Sequence, residues 1–254
     1  LLVNGVTLEA GCTGPSPAEA PTIILLHEGL GCLRLWREFP QALARATGYG
    51  VFAYSRQGYG GSDPVQLPRP LDYMTREALD VLPFVLEQTG LRRGVLLGHS
   101  DGASIASLYL GNRQDTRING LILIAPHFFT EPAGLRAIAE AKLAYETGDL
   151  RPRLAKYHRD PDGAFWGWNQ AWLDPGFAAW NIEEALDYIR VPVLAIQGRD
   201  DQYGTLAQIE ALNTRLYAPL DTCVLNDCRH APFIEQPQAT LAAITGFLER
   251  LENL

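Results

Sequence analysis

A serine stands at the centre of Gly98-His99-Ser100-Asp101-Gly102, between the apolar run Gly94 to Leu97 and the helix-like run Ala103 to Leu110. A strand that turns straight into a helix through a G-x-S-x-G pentapeptide lifts the hydroxyl above the sheet edge, and the small residues two positions either side permit the turn. Serine is a poor nucleophile at neutral pH. It needs a base to take its proton, a third group to hold that base, and N–H donors for the oxyanion that develops. Candidates lie further along: Asp201 in Gly198-Arg199-Asp200-Asp201 after the apolar run Val193 to Gln197, and His230 in Cys228-Arg229-His230-Ala231-Pro232 after Thr222 to Leu225. The chain order is Ser, Asp, His. Asp200, Asp227 and Glu131 compete with Asp201 for the acid, and residue types alone do not separate two adjacent aspartates on one loop.

Other reactive side chains point to simpler roles. Cys228, two residues before His230, is expected to be an inert packed thiol, as free cysteines usually are. The five histidines and scattered carboxylates show no H-E-x-x-H or comparable spacing, so no metal site is expected.

The elements that must carry these residues alternate between strand and helix. Val3 to Glu9, around Asn4-Gly5, reads as an edge strand or hairpin, and Gly11 to Pro21 as a connector. Thr22 to Leu26, Val51 to Tyr54, Gly94 to Leu97, Leu121 to Ala125, Val193 to Gln197 and Thr222 to Leu225 are apolar strands of the kind buried on both faces. Helices are expected over Leu33 to Ala46, over Met74 to Gln88 despite Pro83, with Gly90 as its cap, over Ala103 to Leu110 and Tyr203 to Leu216, and over Gln238 to Leu251 after Pro237. Repeated strand–helix units predict an α/β fold with a mostly parallel sheet covered on both faces and a ligand site at the carboxyl ends of its strands. The alternation breaks between His127 and Arg190, dividing the chain into a core of residues 1–126 and 191–254 and an insertion of residues 127–190.

Taken together, these segments resemble the α/β-hydrolase superfamily over nearly the whole chain. The matching pieces are His27 to Gly31 as the oxyanion loop, Arg56 to Asp63 as the "RGxGxS" turn, the Ser100 elbow, the Gly198 to Asp201 acid loop and the His230 loop ending in Glu235-Gln236-Pro237. The resemblance implies a helical cap after the sixth strand, here Leu121 to Ala125, and a catalytic set of Ser100, Asp201 and His230. Gly-x-x-Asp spacing favours Asp201. The family's usual His-Gly is His27-Glu28 here, with the glycine one position later. Gly29 and Asp101 are then expected to supply the oxyanion N–H groups, with Leu30 as fallback for Gly29. His27 and His99 are expected to be structural, and Glu28 to be paired or turned away, because a carboxylate beside an oxyanion opposes catalysis.

The inserted residues should set substrate choice. They hold four of the five tryptophans, and Phe128, Trp166 and Trp168 are expected to bind substrate, together with neighbours that pack the insertion's own core. The basic run Arg151, Arg153, Lys156 and Arg159 is expected to be a solvated face rather than an anion site.

The implied activity is acyl transfer to water on a small to medium carboxylic ester, thioester or lactone, with no cofactor. A ligand receptor with little turnover and a carbon–carbon bond hydrolase are the rival readings, and a perhydrolase side activity would use the same residues. Epoxide hydrolases and dehalogenases are disfavoured because those relatives carry Asp where Ser100 stands. A net charge of −8 in a chain of 254 residues, with 47% hydrophobic residues, fits a small-molecule substrate and disfavours nucleic acid. No run reaches the roughly 18 to 20 apolar residues of a membrane span. Four cysteines without zinc-type spacing suit a reducing cytoplasm, and a monomer or homodimer is expected.

Overall fold

Nine short strands alternate with eleven α-helices in the computed structural model, which describes residues 1–253. Leu2–Val3 (β1) and Val6–Thr7 (β2) form a hairpin through Asn4 and Gly5, both at positive φ, the pairing a tight two-residue turn demands. The other strands, Ala10–Thr13 (β3), Thr22–Leu26 (β4), Gly50–Tyr54 (β5), Gly94–His99 (β6), Ile118–Ile124 (β7), Val193–Gly198 (β8) and Leu220–Leu225 (β9), make one sheet in the order β3-β5-β4-β6-β7-β8-β9. Only β3 runs antiparallel. It begins at Ala10 and runs into the stretch expected to be connector, because an edge strand needs no apolar run. The strand expected to be sixth is therefore β7 in chain order, behind the hairpin and β3.

Alternate side chains of the central strands feed opposite cores. Ile23, Leu25, Val51, Ala53, Val95, Leu97, Leu194 and Ile196 pack with helices Phe39–Thr47 (α1) and Pro237–Glu252 (α11). Ile24, Leu26, Phe52, Leu96, Leu121, Leu123 and Ala195 pack on the other face with Tyr73–Arg76 (α2), Leu82–Gln88 (α3) and Asp101–Asn112 (α4). Both faces are covered, as a parallel sheet requires. Between β7 and β8 lie Pro132–Thr147 (α5), Leu150–Leu154 (α6), Pro161–Leu173 (α7) and Glu183–Leu186 (α8). Ala207–Arg215 (α9) joins β8 to β9, and Pro232–Glu235 (α10) precedes α11.

Two expected helices are interrupted. Leu33 to Ala46 splits into a 3₁₀ turn, Leu33–Trp36, and α1, because Arg37 takes φ 53° and Pro40 opens the second helix. Met74 to Gln88 contains a π turn, Glu77–Val81, which widens the backbone where Pro83 lacks an N–H. The expected helix from Tyr203 begins only at Ala207, since the amides of Tyr203 and Gly204 bond Asp201 and that of Thr205 bonds Glu131. Among the described residues, no helix is long and apolar enough to cross a membrane.

Candidate active site

Ser100 sits at φ 54°, ψ −118°, between β6 and α4. A non-glycine residue there is strained by roughly 1–3 kcal/mol, and its neighbours hold it. The Ser100 amide donates to the Ile124 carbonyl at 2.9 Å, while its own carbonyl accepts from the Ala103 and Ser104 amides. The flanking glycines are needed for close backbone approach. A Cβ at Gly102 would fall 1.9 Å from the Leu26 carbonyl oxygen, and one at Gly98 would fall 2.3 Å from that of Gly102.

The loops after β8 and β9 bring Asp201 to His230. The His230 Nδ1 lies 2.9 and 2.8 Å from the two carboxylate oxygens, so Nδ1–H donates to Asp201 and Nε2 is left free as an acceptor. The Asp201 side chain is 1% exposed and that of His230 13%. Burial alone would raise the Asp201 carboxyl, but the charge and hydrogen bond of His230 and the Tyr203 amide outweigh it and hold the group at about 2. Gln197 Nε2 donates a further bond to Asp201 Oδ2 at 2.9 Å. The two loops are tied by the Asp200 amide on the Cys228 carbonyl, and a Cβ at Gly198 would collide with the Arg229 carbonyl oxygen at 2.2 Å. Asp200 and Asp227 are exposed, and Glu131 bonds Thr205 and Gln208, so none of the three reaches the imidazole. Cys228 is buried with its thiol pushed up to about 11 by that burial, which keeps it protonated and unreactive.

Among the described residues, the amides of Gly29, Leu30 and Asp101 donate to no protein acceptor. Arg56, fully buried, fixes the first of them. Its Nη1 donates to the His27 carbonyl and its Nη2 to that of Glu28 at 3.0 Å. The Glu28 carbonyl and the Gly29 N–H belong to one planar trans peptide, so anchoring the oxygen aims the N–H the opposite way. His27 adds an Nδ1–H bond to the Glu28 carbonyl at 2.7 Å while its Nε2 accepts from the Arg56 amide. Burial, with Arg56 nearby, lowers the His27 pKa far enough to keep it neutral. His158 grips the Leu30 carbonyl from the far side at 3.1 Å. Glu28 turns its carboxylate to His99, 3.4 Å away. Burial would raise that carboxyl, yet the hydrogen bond and charge of His99 draw it down to about 2. His99 donates its Nε2–H to the His230 carbonyl at 2.8 Å, so it braces the His230 loop.

A cavity of about 90 Å³ opens between these groups. Ser100, Asp101, His230, Glu28, Gly29 and Leu30 form its polar end, and Ile138, Trp168, Trp172, Tyr203 and His127 its roof and sides. Of the three aromatic residues expected to bind substrate, Trp168 lines this cavity, but Phe128 and Trp166 do not. Phe128 is wholly buried, with its amide bonded to Gln208 and its carbonyl to Ile182, and Trp166 packs edge-on against Tyr145 and Phe165. Helical phase explains the difference: residues 165, 168 and 172 share one face of α7, whereas 166 points about 100° away from 165. Trp172 is one of the inserted tryptophans, whereas Tyr203 and His127 carried no sequence signal beyond type. Burial, then the neighbouring His230, pushes His127 down to about 3, so it meets the cavity as a neutral ring. Arg151, Arg153 and Arg159 pair with Asp162, Asp149 and Asp63, away from the cavity. Among the described residues, no group of three metal-ligating side chains converges.

The chain is similar to known proteins along most of its length. A bifunctional esterase/perhydrolase from Acinetobacter calcoaceticus is 26% identical over 222 residues, covering 73% of this chain and 76% of that protein. A carboxylesterase from Bacillus subtilis (strain 168) is 25% identical over 252 residues, covering 91% and 81%. The crystal structure of an enol-lactonase from Burkholderia xenovorans LB400 superposes with a TM-score of 0.75 at 23% identity, covering 98% of this chain and 99% of that one, and so shares the fold. The model of the alpha/beta hydrolase family matches residues 23–244, from within β4 into α11, and the chain belongs to that family.

Proposed function

We propose that the protein is a serine hydrolase that cleaves a small to medium carboxylic ester through an acyl-enzyme on Ser100. The observation that carries this reading is the convergence on one cavity of a strained serine, an imidazole with Nε2 free, and amides without acceptors. In this mechanism His230 Nε2 takes the Ser100 proton as Oγ bonds the ester carbonyl carbon. Negative charge then moves to the carbonyl oxygen, where the Gly29 and Asp101 N–H groups stabilise it. Collapse breaks the carbon–oxygen bond, and the imidazolium returns its proton to the departing alkoxide. Water, deprotonated by the same nitrogen, cleaves the acyl-enzyme to the carboxylic acid. Asp201 holds the ring in the required tautomer.

Residues 127–190 serve in this reading as a cap whose Trp168 and Trp172 limit the acyl group. Both rings line the cavity beside Ser100, and this apolar wall favours a compact, apolar acyl group. The cavity wall contains no Lys or Arg, which favours uncharged esters over substrates recognised through an anionic group.

Steady-state hydrolysis of short p-nitrophenyl esters tests the proposal. Multiple turnover is expected, abolished in Ser100→Ala without loss of the fold. A single burst with no steady-state rate would point to a receptor, and full activity in Ser100→Ala would refute the mechanism.

A further inference from the structure

The three indole N–H groups around the buried aromatic cluster of α7 do not have equal fates. Trp172 Nε1 donates to the Tyr73 hydroxyl at 3.0 Å, and Trp166 is only partly buried. Trp168 is 7% exposed and borders the cavity, yet among the described residues its Nε1–H donates to no protein group. The Nε1 and Cδ1 atoms of its ring lie against Gly29: a Cβ there would fall 2.2 Å from Nε1 and 2.3 Å from Cδ1. Phe165 and Tyr203 hold the ring edge-on at centroid distances of 6.1 and 6.5 Å. The helix beneath it is fixed by the Asp160 cap on the Gly163 amide and by the buried Asn169 bond to the Ile138 carbonyl at 2.9 Å. A rigid donor without an acceptor, set beside a backbone amide without an acceptor, is arranged for an oxygen atom of whatever fills the cavity.

We propose that the Trp168 Nε1–H donates to the acyl oxygen of the substrate, as a third donor beside the Gly29 and Asp101 amides. This role rests on the reading of Ser100 as an acyl-transfer nucleophile. No bond to the indole forms or breaks, and its proton stays on nitrogen while the oxygen gains negative charge. Trp168 is then a catalytic residue supplied by the helical segment, and the oxyanion site is complete only when α7 lies over Gly29.

Trp168→Phe keeps an aromatic ring and removes the donor. With p-nitrophenyl butyrate, kcat is expected to fall about 10- to 100-fold, with KM within about threefold of wild type, because the bond strengthens as charge develops. A second measurement needs no variant. Diethyl p-nitrophenyl phosphate should phosphorylate Ser100 and leave a phosphoryl oxygen where the oxyanion would sit. The Trp168 indole ¹H–¹⁵N resonance, assigned through its contact with the Gly29 α-protons, should then move downfield. Wild-type kcat in a folded Phe variant, or an unmoved indole resonance on a labelled Ser100, would overturn the donor role and leave the Ser100 mechanism standing. Neither labelling nor ester turnover in the wild-type protein would refute the mechanism and the donor role with it.

Discussion

Asp201→Asn alters the charge beside His230 while preserving volume. Four N–H donors converge on the carboxylate: His230 Nδ1 on both oxygens, the Tyr203 and Gly204 amides on Oδ1, and Gln197 Nε2 on Oδ2. The new NH₂ should take the Oδ2 place, because at Oδ1 it would face two backbone amides that cannot turn. There it confronts His230 Nδ1 at 2.8 Å and favours the tautomer with the proton on Nε2, which cannot accept the serine proton. The expected loss is about 10⁴ in kcat, equivalent to about 5 kcal/mol of barrier. Asp200→Asn, at an exposed position, should stay within about twofold. Stability supplies a second readout. The folded state lowers the Asp201 pKa from 3.8 to about 2, a difference worth about 2 kcal/mol. Because the folded value is the lower one, that contribution is fully present above about pH 5 and fades as pH falls through 3.8 toward 2. Urea unfolding at pH 5 and at pH 2 should show the gap between wild type and Asp201→Asn narrowing by about 2 kcal/mol, to the extent that both remain folded. A variant keeping more than about a tenth of wild-type kcat, greater damage from Asp200→Asn, or a gap independent of pH would refute the assignment.

Three further substitutions probe the frame. Gly29→Ala would push a Cβ into the Trp168 ring, with an expected cost of about 1–3 kcal/mol; Gly29→Ala with Trp168→Ala should be destabilised by less than the sum of the singles, and strict additivity in thermal melts would show that the contact is absent. Arg56→Lys cannot grip the His27 and Glu28 carbonyls together, so kcat should fall by about tenfold or more while KM changes little, whereas an unchanged kcat would dissociate this clamp from the Gly29 amide. Cys228→Ala should retain ester turnover to within about twofold, since its thiol is held near 11, and iodoacetamide at pH 8 should leave the wild-type enzyme active; inactivation by alkylation of Cys228 would contradict its burial.

Much of the chain's organisation was legible because buried parallel strands leave apolar runs that end where polar loops begin. Ser100, Asp201 and His230 stand after β6, β8 and β9, in the places such punctuation marks. The break at Arg37 was hidden because its positive φ belongs to a residue with no intrinsic preference for that conformation. Pro83 announced trouble, but a π turn keeps the chain helical around it. The roof of the cavity was harder to read. Every residue of Ala164-Phe165-Trp166-Gly167-Trp168 is apolar or small, so no amphipathic pattern says which ring turns toward the serine. Arg56 belongs to a recognisable turn motif, but its grip on carbonyls 28 and 29 positions earlier depends on β4 and β5 lying side by side.

Glu28 shows how a departure in sequence is absorbed by its surroundings. Where the family resemblance leads one to expect glycine, this chain brings an ionised carboxylate to the edge of a cavity proposed to develop negative charge. The side chain is 26% exposed, and it bends over Gly31 toward His99; a Cβ on Gly31 would lie 2.3 Å from its Oε2. Gly31 is thus needed less for backbone freedom than for the space this carboxylate occupies. The backbone of the same residue does the opposite work, since Arg56 and His27 bind its carbonyl and thereby direct the Gly29 N–H. His99, which receives the carboxylate, also donates to the His230 carbonyl, so one residue of the serine pentapeptide braces both the Glu28 loop and the His230 loop. The carboxylate therefore links two loops that must keep register, and its charge is drawn toward an imidazole instead of facing the serine.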